Sequence, residues 1–189
     1  MPTTVEVATG IYGAWRLIWL DRGALSYFDA TVAGFWKSFF AAALVAPLYM
    51  LVVALDLTAR GTDAGALRIL IVHLCAYSIS WTAFPLIMHY LTEAMDRRDR
   101  FILCIVALNW AEVIQAAVQL PLILLISVEA LPTAFMELLR VAVYVLILAY
   151  QWFVTRTTLD IGGLGAAGLV LLDVVIGLMI LGIASGMLR

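Results

Sequence analysis

The fold is decided by "ALNWAEVIQAAVQLPLIL", residues 107–124, a stretch apolar enough to lie in a lipid bilayer. It nevertheless carries Asn109, Glu112, Gln115 and Gln119. On a helical wheel of about 100° per residue, these four side chains fall within roughly a 120° arc and form one polar stripe. Because polar groups are costly in hydrocarbon, the stripe is expected to face other helices, which predicts a membrane-embedded bundle around it.

Composition places the whole chain in the same class. Of 189 residues, 65% are hydrophobic and 13% are charged, against roughly a quarter charged in an ordinary soluble domain. Five apolar runs reach the roughly 20 residues that a bilayer-crossing helix needs. We therefore predict an all-α, polytopic bundle in residues 37–189, with five transmembrane helices at about 38–56, 68–92, 101–128, 132–155 and 162–187.

Residues 1–36 form the remaining segment. Its sequences "IYGAWRLIWL" (11–20) and "FDATVAGFWKSFF" (28–40, which runs into the first span) mix aromatic, aliphatic and basic side chains. This mixture is typical of an amphipathic helix lying at the cytoplasmic membrane interface. A short helix packed on the bundle is the alternative.

Basic residues near the span ends predict the orientation, because they are retained on the cytoplasmic side. The arrangement with more of them inside has a cytoplasmic N-terminus and a periplasmic C-terminus. With ten Arg to one Lys, we expect a bacterial inner membrane. The inside positions are Arg16, Arg22, Lys37, Arg97, Arg98, Arg100 and Arg156, and the outside positions are Arg60, Arg68 and Arg189.

Charged residues in the spans predict a buried cluster. Counting about 1.5 Å per residue from the span ends puts Glu112, Arg140 and Asp173 at one depth, with one arginine between two carboxylates. On span four, a helical wheel places four polar residues within roughly 60°, on a face that would meet the stripe of span three: Glu137, Arg140, Tyr144 and Gln151. Such a cluster either holds the helices in register or carries protons or cations.

Two histidines on span two are further titratable candidates. His73 should lie at the depth of Glu137, which allows a pair, and His89 lies on another face further in. Because the two rings are on different faces of one helix, they do not share a metal, and we expect neither a metal nor another cofactor. On span five, Gly182 and Gly186 form a GxxxG pair that permits close approach of a helix from another membrane protein or a second copy.

No nucleophile-base set, metal-ligand motif or nucleotide-binding loop is evident, so we expect neither an enzyme with catalytic residues nor a nucleic-acid partner. An aromatic N-terminal stretch that leads through "GFWKSFF" into five closely spaced spans resembles the YIP-domain family of small membrane proteins. That resemblance implies interaction-based roles in membrane organisation. The first functional hypothesis is a scaffold or accessory subunit, and the alternative is a small proton-coupled or solute-conducting transporter that uses Glu112, Arg140 and Asp173.

Overall fold

A computed structural model describes residues 1–60, 65–127 and 132–188, in which seven α-helices are joined by short turns. The predicted end of span three at residue 128 and the basic residue Arg189 lie outside the described residues. Two helices precede the long ones: α1 (Thr4–Ile18) and α2 (Val32–Ser38). The long helices are α3 (Phe40–Arg60), α4 (Ala66–Ala94), α5 (Phe101–Ser127), α6 (Thr133–Leu159) and α7 (Gly163–Gly186).

Five stretches, one in each long helix, are long and apolar enough to cross a membrane. They contain few charges, and all of them expose large apolar side chains, which suits contact with lipid. The predicted all-α, five-span bundle is confirmed, and the chain is an integral membrane protein. The first of the five apolar stretches begins in α2 and continues into α3.

Helix α5 is the centre of the bundle. Of the most apolar part of this helix, 56% is buried inside the protein, against 11–17% for the other four candidate spans. It packs against α1, α2, α3, α4 and α6, whereas α7 packs on α6 and α4. The polar stripe noticed in the sequence is therefore carried by the one long helix that other helices surround.

Helix α1 packs on the bundle. Thr3 and Glu6 form a reciprocal capping box at its start, which satisfies backbone N–H groups that a helix N-terminus leaves free. Ala14 and Leu17 are fully buried, while Trp15 on the opposite side is half-exposed. The helix therefore docks through one face and leaves an aromatic face outward, as in the alternative of a short helix packed on the bundle, and its position at the membrane interface stays a prediction.

Two contacts fix the docking of α1. A Cβ atom on Gly10 would lie 2.5 Å from the ring of Trp110, so only glycine lets the helix approach α5 this closely. Lys37 Nζ donates a hydrogen bond to Glu6 Oε1 at 2.6 Å. This bond is the main reason that the pKa of Glu6 is lowered to about 2, and the backbone N–H of Thr3 adds to the effect. The N-terminal segment is thus tied to both α5 and the start of the spans.

Candidate functional site

The first stripe residue, Asn109, is a helix-contact residue. Its Nδ2 donates to the Oγ of Ser38 at 2.8 Å, and both side chains are buried. Ser38 in turn donates to the carbonyl of Phe35. Because each of these buried side chains makes a hydrogen bond within the protein, this pair connects α5 to the end of α2.

The next stripe residues form a carboxylate-amide pair. Gln115 Nε2 donates to Glu112 Oε1 at 3.4 Å. Gln115 is buried, and Glu112 is partly buried. Glu112 lies about 16 Å from the first residue of α5, close to the middle of a hydrocarbon core about 30 Å thick.

A second carboxylate-amide pair joins α6 and α7. Gln151 Nε2 donates a hydrogen bond to Asp173 Oδ2, and Gln151 is only 6% exposed. Asp173 lies about 15 Å from the first residue of α7, which matches the depth of Glu112. Both acids therefore occupy the middle level of the membrane, and each accepts a hydrogen bond from a glutamine.

Asp173 lies within electrostatic range of Glu112. Tyr77 and Tyr150 are also within electrostatic range of Glu112. Their hydroxyls donate elsewhere, to the carbonyls of Ala42 at 2.6 Å and Ala14 at 2.9 Å. We call Glu112, Gln115, Gln151 and Asp173 the acid pair with its two glutamines; tyrosines from α4 and α6 flank it.

Arg140 is not part of this arrangement, so the predicted three-residue cluster is wrong in that member. Its Nη1 lies 3.4 Å from Oε1 of Glu137 one helical turn away, and both side chains are about half-exposed. The physical reason is the length of α6. Its 27 residues extend about 40 Å, well beyond the hydrocarbon core, so a depth counted inward from the outer end placed Arg140 too deep.

The polar face predicted for span four is buried only in part. Gln151 is buried against α7, whereas Tyr144 is 53% exposed and Glu137 is exposed. The buried core residues of α6 lie mostly between positions 151 and 159, near its C-terminal end. A helix wheel groups these residues on one face, but the buried residues of α6 lie mostly toward its C-terminal end, so Glu137 and Tyr144 of that face are exposed. Gln119 of the stripe is partly buried.

The two histidines contact residues other than the acid pair. His73 Nδ1 is 3.1 Å from the hydroxyl of Tyr49, so the predicted His73–Glu137 pair is replaced by a contact with α3. His89 packs edge-on against the rings of Tyr90 and Phe101. Within the described ranges, no three His, Cys, Asp or Glu side chains come together to hold a metal ion.

Gly182 and Gly186 are exposed on α7, and a Cβ on either would meet no other atom within 4 Å. The face that they form is therefore open to a partner.

Sequence reasoning did not find Tyr150, because no pattern within α6 distinguishes it; its role depends on the positions of α1 and α5. Tyr77 follows the same rule, since its neighbour Glu112 is on another helix.

Comparisons with family models, with curated proteins and with solved structures found no match to this chain. The resemblance to the YIP-domain family therefore stays a prediction.

Proposed function

We propose that this integral membrane protein is a small, non-enzymatic transporter in which Glu112 and Asp173 bind a proton or a small monovalent cation. The observation that carries the proposal is an acid pair at mid-membrane depth with no ion-pair cation among the described residues. It supports the transporter alternative over the ion-paired network, because the arginine that such a network needs lies elsewhere.

The electrostatics favour uptake of positive charge. One carboxylate at the bilayer centre costs about 2.5–3.5 kcal/mol on insertion scales, and two that repel each other cost more. Hydrogen bonds from Gln115 and Gln151 orient the carboxylates but bring no net charge. A proton or a cation shared with the pair removes this cost, and its release restores it. The pair is thus suited to an exchangeable charge.

We also propose the setting expected from the basic residues: a bacterial inner membrane with the N-terminus in the cytoplasm. The segments containing Arg22, Arg100 and Arg156 meet at one end of the bundle. An excess of arginine at one end is what the positive-inside rule associates with the cytoplasmic face.

The test is flux into liposomes that contain the purified full chain and an entrapped pH-sensitive dye. A pH gradient is imposed, with potassium and valinomycin present to compensate charge. We expect Glu112→Gln and Asp173→Asn to abolish the protein-dependent flux while the folded fraction is unchanged. Glu137→Gln is the matched control, since it removes an exposed carboxylate outside the pair. The proposal would be contradicted if neither proton flux nor sodium flux through the wild-type protein exceeded that of empty liposomes.

The open face at Gly182 and Gly186 favours a second candidate function, a scaffold or accessory subunit. A helix from another membrane protein or a second copy would pack there. Gentle extraction from the native membrane followed by mass spectrometry of the complex tests it. Gly182→Leu should remove a stoichiometric partner, while Gly177→Leu, also in open space on α7, should retain it.

A further inference from the structure

A second polar site lies at the end of the bundle where α5 begins and α6 ends. It is a cavity of about 360 Å³ lined by Arg22, Arg100, Arg156, Thr157 and Asp160, with apolar side chains of Leu25 and Ile161 beside them. These residues come from the turn after α1, the turn before α5, the last turn of α6 and the loop to α7. We call this cavity the arginine pocket.

The arginine pocket concentrates positive charge. Three guanidinium groups and one carboxylate line it, which leaves a formal charge of about +2 by counting side chains. Arg156 lies over the ring of Trp152 at 5.2 Å, and the Nε of Arg100 is 3.6 Å from Asp99. Arg22 has no ion pair in the described parts of the chain. A guanidinium carries five N–H donors, so unused donors remain around the cavity.

Thr157 supplies the independent observation. Its side chain is 9% exposed, and its Oγ1 has no hydrogen-bond partner among the described residues. A buried hydroxyl without a partner is unfavourable, and such groups are rare in folded proteins. Thr157 lines the same cavity as the arginines, so an anion bound there would lie next to the residue whose hydroxyl is unsatisfied.

We propose that the arginine pocket binds the phosphate group of an anionic phospholipid. Arginine forks match phosphate oxygens, and basic pockets between membrane helices bind lipid headgroups. Arg100 directly precedes α5, and Arg156 lies one turn before the end of α6, so both are at headgroup level. Leu25 and Ile161 give the cavity an apolar side that suits the start of an acyl chain. The same chemistry would accept free phosphate, so the test separates the two sources.

The test uses the full chain in detergent and native mass spectrometry with phosphatidylglycerol, with phosphatidylcholine, and with phosphatidylglycerol in competition with inorganic phosphate. We expect phosphatidylglycerol to be retained over phosphatidylcholine, and inorganic phosphate to compete weakly. Arg22→Gln and Arg156→Gln should each reduce the retention of phosphatidylglycerol roughly tenfold, the loss expected for a charge-assisted hydrogen bond. Arg98→Gln is the matched control, since its side chain is exposed and pairs with Glu93 outside the pocket.

Two further variants separate binding from folding. Thr157→Val should weaken lipid binding while leaving the lipid-free protein at least as stable as the wild type, because it removes a buried hydroxyl with no partner among the described residues. Arg156→Lys keeps the charge and should recover part of the binding that Arg156→Gln loses. Equal retention of both lipids by wild type and variants would overturn the proposal. Displacement of phosphatidylglycerol by inorganic phosphate at equal concentration would overturn the lipid as the source.

Discussion

Replacing Gln151 by leucine removes the amide that donates to Asp173 inside the membrane. The side chain is buried, so water does not replace the lost donor easily. The carboxylate of Asp173 would then stay in its position without this hydrogen bond. The size of the resulting loss depends on whether Asp173 is charged.

The magnitude follows from that difference. A hydrogen bond to a charged group contributes about 1.5–3 kcal/mol to stability. A hydrogen bond between neutral groups of membrane helices contributes about 0.6 kcal/mol on average. We expect Gln151→Leu to lower the free energy of unfolding by about 2 kcal/mol at mildly alkaline pH, the value for a charged acceptor.

A double-mutant cycle with Asp173→Leu isolates the interaction, because the double variant leaves neither partner unsatisfied. Unfolding by sodium dodecyl sulfate in mixed micelles gives the free energies. The coupling between the two substitutions should be about 1.5–3 kcal/mol. A cycle that uses Asp173→Asn reports the neutral bond in the same place. Additive losses, or equal coupling in both cycles, would refute a charged Asp173, whereas Gln119→Leu should cost less than Gln151→Leu.

Three further predictions concern residues outside the acid pair. Gly10→Ala should destabilise the protein by about 1–3 kcal/mol in thermal unfolding, because its Cβ would overlap the ring of Trp110; an unchanged midpoint would mean that the close contact is absent. Acidification should weaken the docking of α1: the pKa of Glu6 is about 2 in the folded state and 4.5 as a free group, so its stabilising contribution is full above pH 4.5 and is lost as the pH falls toward about 2. Tryptophan fluorescence should report this change, and Lys37→Met should reduce its pH dependence in that range to the part that the hydrogen bonds from Thr3 cause. Arg140→Gln should change the free energy of unfolding by no more than about 0.5 kcal/mol, as for other exposed ion pairs within one helix, and a loss of several kcal/mol would show that Arg140 has a buried partner.

The five spans could be predicted because each property involved is local. Hydropathy over about 20 residues identifies a crossing helix without any tertiary information. The amphipathic α1 was predicted on the same basis, from its mixture of aromatic and basic side chains. What hydropathy could not supply was the docking of that helix, since the fit of Gly10 against Trp110 joins positions 100 residues apart.

The polar residues show where local reasoning ends. The stripe on span three was recognised from its wheel, and one member, Asn109, bonds to a residue of another helix. Their partners were not recognisable, because Asn109 meets Ser38 and Asp173 meets Gln151 through the packing of separate helices. A wheel gives the direction of a side chain around one axis, but a contact also needs the crossing point of two axes. The buried residues of α6 lie mostly in its C-terminal half.

The position of Arg140 decides how the acid pair is to be understood. An arginine fixed between two carboxylates would neutralise the site permanently, and such a site would hold helices together without exchanging anything. With Arg140 paired to Glu137 near the other end of α6, no positively charged side chain among the described residues pairs with Glu112 or Asp173, and a proton or cation from outside the chain would neutralise them. A charge that comes from outside can also leave. The same displacement that makes the sequence-based cluster wrong therefore makes an exchangeable proton or cation the simplest source of neutralisation at mid-membrane depth.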